Sequence, residues 1–314
     1  MKNRKPKIAI VAGGFTSEHD VSLRSAAGIE SFLDKDKYDV EIVQMDGIEA
    51  KETNYKALDR LREFDYAYIT IHGAPGENGL LQGYFEMIGI PFSSCSAFVS
   101  AVAFDKYACK NYLRDVDFVK CAPDAYVRKG ADLEAFAEAA VRKLKFPVFV
   151  KPTEGGSSFG ITRVLRPEDL VPAIQFAFSE GPSVLVEQGV SGRELTCAAY
   201  FDGTEVKALP LSEIVSENDY FDYDAKYNGF SQELCPAPVS DDVRELVQDT
   251  TCKIYRRMGC SGVVRVDFIL AEDGLYFLEI NTIPGMTSAS LVPRMIRTAG
   301  MDMTSFLSTI IENS

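Results

Sequence analysis

Arg265, Asp267, Glu279 and Asn281 bring together the residue types best suited to chemistry. They lie on two apolar runs, 262–270 and 275–280, separated by Ala271-Glu272-Asp273-Gly274, which reads as a hairpin. Side chains along a strand alternate between faces. With a three-residue loop of Glu272, Asp273 and a left-handed Gly274, Asp267 falls opposite Glu279 and Arg265 opposite Asn281. The other face then collects Val264, Val266, Phe268, Leu270, Tyr276, Leu278 and Ile280, an apolar set expected to be core. Two adjacent carboxylates repel each other unless a cation lies between them. Oxygen ligands select a hard ion, and Mg²⁺ on a nucleotide needs only one or two carboxylates beside the phosphates. A solvated hairpin face with surface ion pairs fits the four residues equally well. The run from Asn281 to Ser288, NTIPGMTS, favours the metal, because it sets backbone amides and hydroxyls next to it.

A second candidate is KPTEGGSSFG at 151–160, where Lys151 ends a strand and a loop with Ser157 and Ser158 follows. Amides of such a loop can approach phosphate oxygens closely, with the lysine as a point charge. No Gly-Lys-Ser/Thr closes it, so it is not a Walker A motif; taken alone, it reads more readily as an ordinary turn. His72 stands at a strand end before a glycine-rich turn, where structural and catalytic roles are close rivals. The run GGFTSE at 13–18 lacks G-x-G-x-x-G, which argues against a nicotinamide oxidoreductase. Its Glu18 could simply compensate a helix dipole. Lys226 and Tyr227 lie in an irregular stretch, 220–236, with Tyr220, Phe221, Tyr223 and Phe230 around them. Such a stretch is either a surface excursion or a lid over an active site. Gly-x-Ser-x-Gly is absent.

The elements that must position these residues fall into three groups. Strands at 7–12, 38–44 and 66–71 alternate with helices at 17–33 and 58–64, which indicates an open α/β sheet. Ser17 with Asp20 gives the first helix a weak capping-box start. In such sheets ligands bind beyond the carboxyl ends of strands, where Gly13 and His72 lie. A small-residue stretch at 91–96 breaks the pattern. Then follow helices at 97–113 (carrying Asp105-Lys106), 132–144 and 170–178, with strands at 147–150 and 183–187. The last part holds strands at 194–201 and 205–211 joined by Asp202-Gly203, a helix at 241–258 and the hairpin. The expected domains are 1–95, 96–186 and 187–314, the last with its lid at 220–236.

The 314 residues suit two or three small domains. Thirty-three basic against forty-six acidic residues give −13, which argues against nucleic acid or an anionic membrane surface as partner. A few local lysines can still hold a nucleotide. Seven cysteines without C-x-x-C, in a chain with no signal-peptide pattern, suggest reduced thiols and a cytoplasmic location. Two histidines nearly exclude a multi-histidine zinc site. No stretch is long and apolar enough to span a bilayer.

Read in order, GGFTSEHDVS, HGAPGENG, FDK, VKPTEGGSSFGI, SGRELT, DYDAKY, RVDF and EINTIPGMTSASLVP resemble the D-alanine–D-alanine ligases, over about residues 8–294. The resemblance implies an α/β ATP-grasp fold of three domains and ATP-dependent joining of two D-alanines for peptidoglycan precursors. It implies that Lys106, Lys151 and the Ser158 loop hold phosphates, Glu187 meets adenine, Glu194 meets the ribose, and Lys226 reaches the γ-phosphate. Asp267, Glu279 and Asn281 would bind two Mg²⁺ ions, with Mn²⁺ as an alternative. Glu18 would hold the first D-alanine's ammonium beside His72, with Ser157 and Tyr227 linking to Glu18 as the lid closes. Arg265 and Gly285 would serve the oxyanion, and Ser290 and Leu291 would receive the second D-alanine. The family suggests a homodimer. Its rivals are ligases whose second substrate is D-lactate or D-serine, and a non-catalytic ATP-binding relative; Tyr227 favours an amine nucleophile over D-lactate. Two departures stand out: Asn78 where an aspartate is expected, and Gln188 where a lysine is common.

Overall fold

β1 (Lys7–Gly13) carries apolar side chains on both faces, so only a fully covered central strand suits it. The computed structural model, which describes residues 4–156, 159–216 and 231–314, buries it in a parallel sheet between β2 (Asp39–Met45) and β3 (Tyr66–Ile69). α1 (His19–Phe32) follows β1, but the capping box does not form. Glu18 is the N-cap residue, and no side chain caps this end. α2 (Lys51–Arg60) begins before the expected residue 58, because its first turns bury little and carry no apolar period to read. α3 (Leu80–Ile88) completes this layer.

The single helix expected at 97–113 is two. α4 (Ala97–Phe104) and α5 (Lys106–Leu113) meet at Asp105, whose backbone is extended and whose carboxylate accepts the Ala108 N–H at 2.7 Å. An aspartate in that geometry is an N-cap, so it starts a helix instead of continuing one.

After the short β4 (Lys120–Cys121), an antiparallel sheet runs in the order β5 (Asp124–Arg128), β8 (Ser183–Gln188), β6 (Val148–Pro152), β7 (Thr162–Val164). α6 (Leu133–Lys143) and α7 (Leu170–Ala177) cover one face with Ala137, Ala140, Leu170 and Ile174. The third sheet runs β12 (Ser231–Leu234), β11 (Ser212–Ser216), β9 (Arg193–Phe201), β13 (Val263–Ala271), β14 (Gly274–Asn281), β4, with β10 (Val206–Ala208) on β9. α8 (Asp241–Met258) packs on it, capped by Ser240 and stopped by left-handed Gly259. α9 (Leu291–Thr298) and α10 (Met303–Glu312) return to the first sheet, where Met295, Phe306 and Ile310 share a core with Ile8, Ile10 and Tyr68. Among the described residues no helix is long and apolar enough to cross a membrane.

The hairpin of β13 and β14 pairs Asp267 with Glu279 and Arg265 with Asn281, as the spacing predicts, but by another route. Its loop has two residues, Glu272 and Asp273, because Ala271 already pairs with Gly274. The register then shifts: Phe268 faces Phe277, and Leu278 is the extra residue of a β-bulge. Below the bulge Leu275 and Phe277 join the core with Phe268. The expected core residues Tyr276 and Leu278 instead line the cleft described next.

Candidate active site

The four-stranded and seven-stranded sheets enclose a cleft of about 580 Å³, a size typical of small-ligand sites. Lys151 and Glu187 line it from one sheet, and Glu194, Ile214, Asp267, Leu278 and Glu279 from the other. A narrower space of about 120 Å³ adjoins it, bounded by Lys106, Lys151, Gly156, Arg265, Glu279 and Leu291 among others.

The helix break at Asp105 places Lys106. As the first residue of α5 it donates its backbone N–H to Thr153 O at 2.8 Å, and its ammonium donates to Gly155 O at 2.8 Å. The same ammonium lies 3.4 Å from Glu279 Oε2, on the opposite wall. Lys151, near the end of β6, sits 2.5 Å from Glu187 Oε2. One helical turn beyond Lys106, the fully buried Lys110 pairs with the other oxygen of Glu187. Burial, reinforced by the like charges of Lys110 and Lys106, pushes Lys151 down to about 7. Burial likewise lowers Lys110 to about 8. Glu279 and Asp124 oppose the shift of Lys151, and Cys121 and Asp124 that of Lys110; a bound phosphate would likewise oppose that of Lys151.

Across the cleft Arg265 grips Asp267 in a fork, at 2.9 and 2.7 Å. Burial works against the Arg265 charge, but Asp267 outweighs it and the guanidinium is held more firmly than in water. Thr196, opposite Asp267 in the β9–β13 register, also donates its hydroxyl to that carboxylate. Asn281 Oδ1 accepts the Ile283 N–H at 3.0 Å and so bends the chain away from β14. Among the described residues no cluster of three acidic, histidine or cysteine side chains could cage a metal alone. Two carboxylates and an amide do fit an ion that arrives with its own phosphate oxygens.

The N-terminal layer closes the narrow end. Glu18 reaches the Gly155-Gly156 loop: a Cβ added to Gly156 would lie 3.3 Å from Glu18 Oε2. His72 is buried, its carbonyl accepts the Thr16 hydroxyl at 3.1 Å, and it lines a small cavity with Thr282, Pro284 and Met286. A Cβ on Gly285 would sit 2.9 Å from Ser290 Oγ and would push that hydroxyl aside. That hydroxyl pairs with Thr287 Oγ1 at 2.8 Å, at the start of α9. The described residues thus bring Glu18, Lys106, Lys151, Arg265, Asp267, Glu279 and Leu291 around one space, with Glu187 and Glu194 in the adjoining cleft. Ser157, Ser158 and residues 220–230 of the expected lid, with Lys226 and Tyr227, lie outside the described residues.

Two residues escaped the sequence reading. Glu77, partly buried, accepts the Gly73 N–H at 2.7 Å; lost hydration, with Glu18 and Glu279 adding to it, raises its carboxyl to about 7 against the pull of Arg265. Lys110 is the other, and its spacing of four from Lys106 was the available signal. The two departures are absorbed locally. Asn78 Oδ1 accepts the Leu80 N–H at 3.3 Å, and Gln188 Oε1 accepts the Lys145 N–H at 3.0 Å.

A nucleotide-sized cleft between a four-stranded antiparallel sheet and a mixed seven-stranded one, with lysines on one wall and paired carboxylates on the other, defines an ATP-grasp protein. The solved structures it resembles share this fold. The D-Ala:D-Ser ligase VanG from Enterococcus faecalis is 29% identical with a TM-score of 0.86, over 98% of this chain and 99% of that one. The D-alanine–D-alanine ligase from Bacillus anthracis complexed with ATP is 28% identical with a TM-score of 0.83, over 98% and 97%. The family model described as D-ala D-ala ligase C-terminus matches residues 113–312. The D-alanine–D-alanine ligase of Phocaeicola vulgatus is 45% identical over 98% of this chain and 99% of its own length. The chain belongs to the D-alanine–D-alanine ligase family.

Proposed function

We propose that this protein joins two D-alanines at the expense of ATP, through an acyl phosphate, as a step toward peptidoglycan precursors. The observation that carries the reading is the facing of Lys106 and Lys151 against the Asp267–Glu279 pair, with Glu18 at the narrow end of the same space. ATP lies in the cleft with its phosphates on Lys106, Lys151 and the 153–160 loop. Glu187 and Glu194 face its adenosine. Asp267, Glu279 and Asn281 hold Mg²⁺, which when bound neutralises phosphate charge. Glu18 fixes the ammonium of the first D-alanine, and its carboxylate attacks the γ-phosphorus as ADP leaves. The amine of the second D-alanine, seated by Ser290 and Leu291, attacks the acyl carbon. Arg265 and the Gly285 amide stabilise the oxyanion, and phosphate departs. Ser157, Lys226 and Tyr227 complete the site as a lid that keeps water from the acyl phosphate.

The protein works in the cytoplasm, in keeping with its free cysteines. It works as a homodimer; Leu80, Met87 and Phe98, all exposed on α3 and α4, offer an apolar face, and sedimentation velocity measures the state. The decisive assay is phosphate release from ATP and Mg²⁺ with D-alanine, L-alanine, D-serine and D-lactate supplied separately. Release with D-alanine and formation of its dipeptide are expected. Faster use of D-alanine with D-serine or D-lactate as the second substrate would reassign that substrate. No release with any of them, from folded protein that binds ATP, would discard the reaction.

A further inference from the structure

Glu187 divides its two carboxylate oxygens between two lysines that differ in access. Lys151 lines the cleft, whereas the Lys110 side chain has no exposed surface. The three charges sum to +1, and among the described residues nothing else nearby is free to replace either lysine. Asp124, opposite Glu187 on β5, is already held by Arg114 at 2.8 Å and accepts Lys143 at its carbonyl. Lys106 is turned to Gly155 and Glu279.

We propose that Lys110 is a positioning residue for nucleotide binding: it remains the counter-ion of Glu187 when Lys151 swings to a phosphate. This rests on the reading that the cleft takes ATP. Only Lys151 can leave, because only Lys151 reaches the cleft. Once it does, a carboxylate buried without a partner would oppose binding strongly. Lys110 removes that opposition. It also holds the carboxylate in the cleft wall, where it can accept a hydrogen bond from a base amine. The net +1 of the resting trio is then the charge that a phosphate completes.

The test compares Lys110→Met with wild type, and Lys110→Met/Glu187→Gln with Glu187→Gln alone, using ADP as the probe in titration calorimetry and following KM for ATP and for D-alanine. In the single variant Lys151 and Glu187 form a neutral pair, so the fold is kept but Lys151 is tied to its only partner. ADP should bind at least about tenfold more weakly, with KM for ATP rising in step and KM for D-alanine within about twofold of wild type. In the double variant the amide needs no counter-ion and Lys151 is free. Adding Lys110→Met to Glu187→Gln should then leave ADP binding within a few-fold of Glu187→Gln alone, recovering what the single variant lost relative to wild type. That recovery separates positioning through Glu187 from a merely structural role.

Wild-type ADP affinity in Lys110→Met, or a loss on adding Lys110→Met to Glu187→Gln as large as the loss it causes in the wild type, would overturn the inference. Should the single variant not fold, the double decides alone, and weakening beyond about tenfold relative to Glu187→Gln counts against the inference. Failure of the wild type itself to bind ADP would instead overturn the nucleotide reading on which the inference rests.

Discussion

Replacing Glu77 with glutamine should make the nucleotide-free protein more stable at pH 8 than the wild type, and far less so at pH 5. Loss of hydration, with Glu18 and Glu279 nearby, moves the Glu77 carboxyl from an ordinary 4.5 to about 7 in the folded protein. Between those values the folded chain keeps a proton that the unfolded chain has released, so stability falls as pH rises. Below 4.5 both states are protonated and nothing is lost; above 7 both are ionised and the loss is complete. At about 1.4 kcal/mol per pH unit, the span amounts to about 3 kcal/mol. Glutamine stays neutral throughout and can still accept the Gly73 N–H that Glu77 takes at 2.7 Å. An unfolding entropy of about 2.1 cal/mol/K per residue over 314 residues converts that energy to about 5 °C. Thermal midpoints of the two proteins, measured by differential scanning fluorimetry from pH 5 to pH 8, should therefore diverge by about that much. Parallel curves would refute the reasoning, because they would mean that Glu77 is hydrated and ionised like a surface carboxylate.

Two further outcomes follow from the site. Glu279→Ala should reduce turnover by at least 10²–10³-fold, roughly, since it would remove a carboxylate from the wall proposed to hold metal and phosphate, while the melting midpoint stays close to wild type; steady-state phosphate release checks it, and near-normal turnover would remove the metal assignment. Arg294 ties Glu233, by its carbonyl at 3.0 Å and its carboxylate at 3.1 Å, to the carbonyl of Ala289 at 3.2 Å, beside Ser290. Arg294→Met should raise the KM for the second amino acid several-fold, roughly, and leave kcat nearly unchanged; an equal loss in kcat would show that the contact matters to the chemical step instead.

The hairpin was legible because a period of two leaves few ways to pair two short strands, and the pairing that sets Asp267 against Glu279 puts all four polar residues on one face. The bulge was not legible, because a two-residue loop with a bulge and a three-residue loop without one place Asp267 and Glu279 opposite each other alike. The apolar runs gave the parallel sheet, since β1 needs cover on both sides. The break at Asp105 was hidden in a run of good helix formers, where an aspartate looks like a tolerated surface residue. Glu77 and Lys110 were missed for a related reason. A charged residue in a glycine turn or on an amphipathic helix reads as solvated, and only tertiary packing says otherwise. Gly76 illustrates this: a Cβ there would lie 2.1 Å from Ile71 O, so the turn that carries Glu77 is pressed onto the end of β3.

The extra residue at Leu278 works as a phase shifter. On either side of it the strand keeps its two-residue rhythm, but the beat that points into the core changes from odd to even numbers. One half of β14 can therefore seal a hydrophobic layer with Leu275 and Phe277 while the other presents Glu279 to the cleft, with Asn281 two residues on along the same strand. Because the rhythm is reset between them, the tip and the carboxylate-bearing half are separate design problems. Residues near Glu272 can drift in size or polarity without tilting the carboxylate pair, whereas deleting the single residue Leu278 would turn one half inside out.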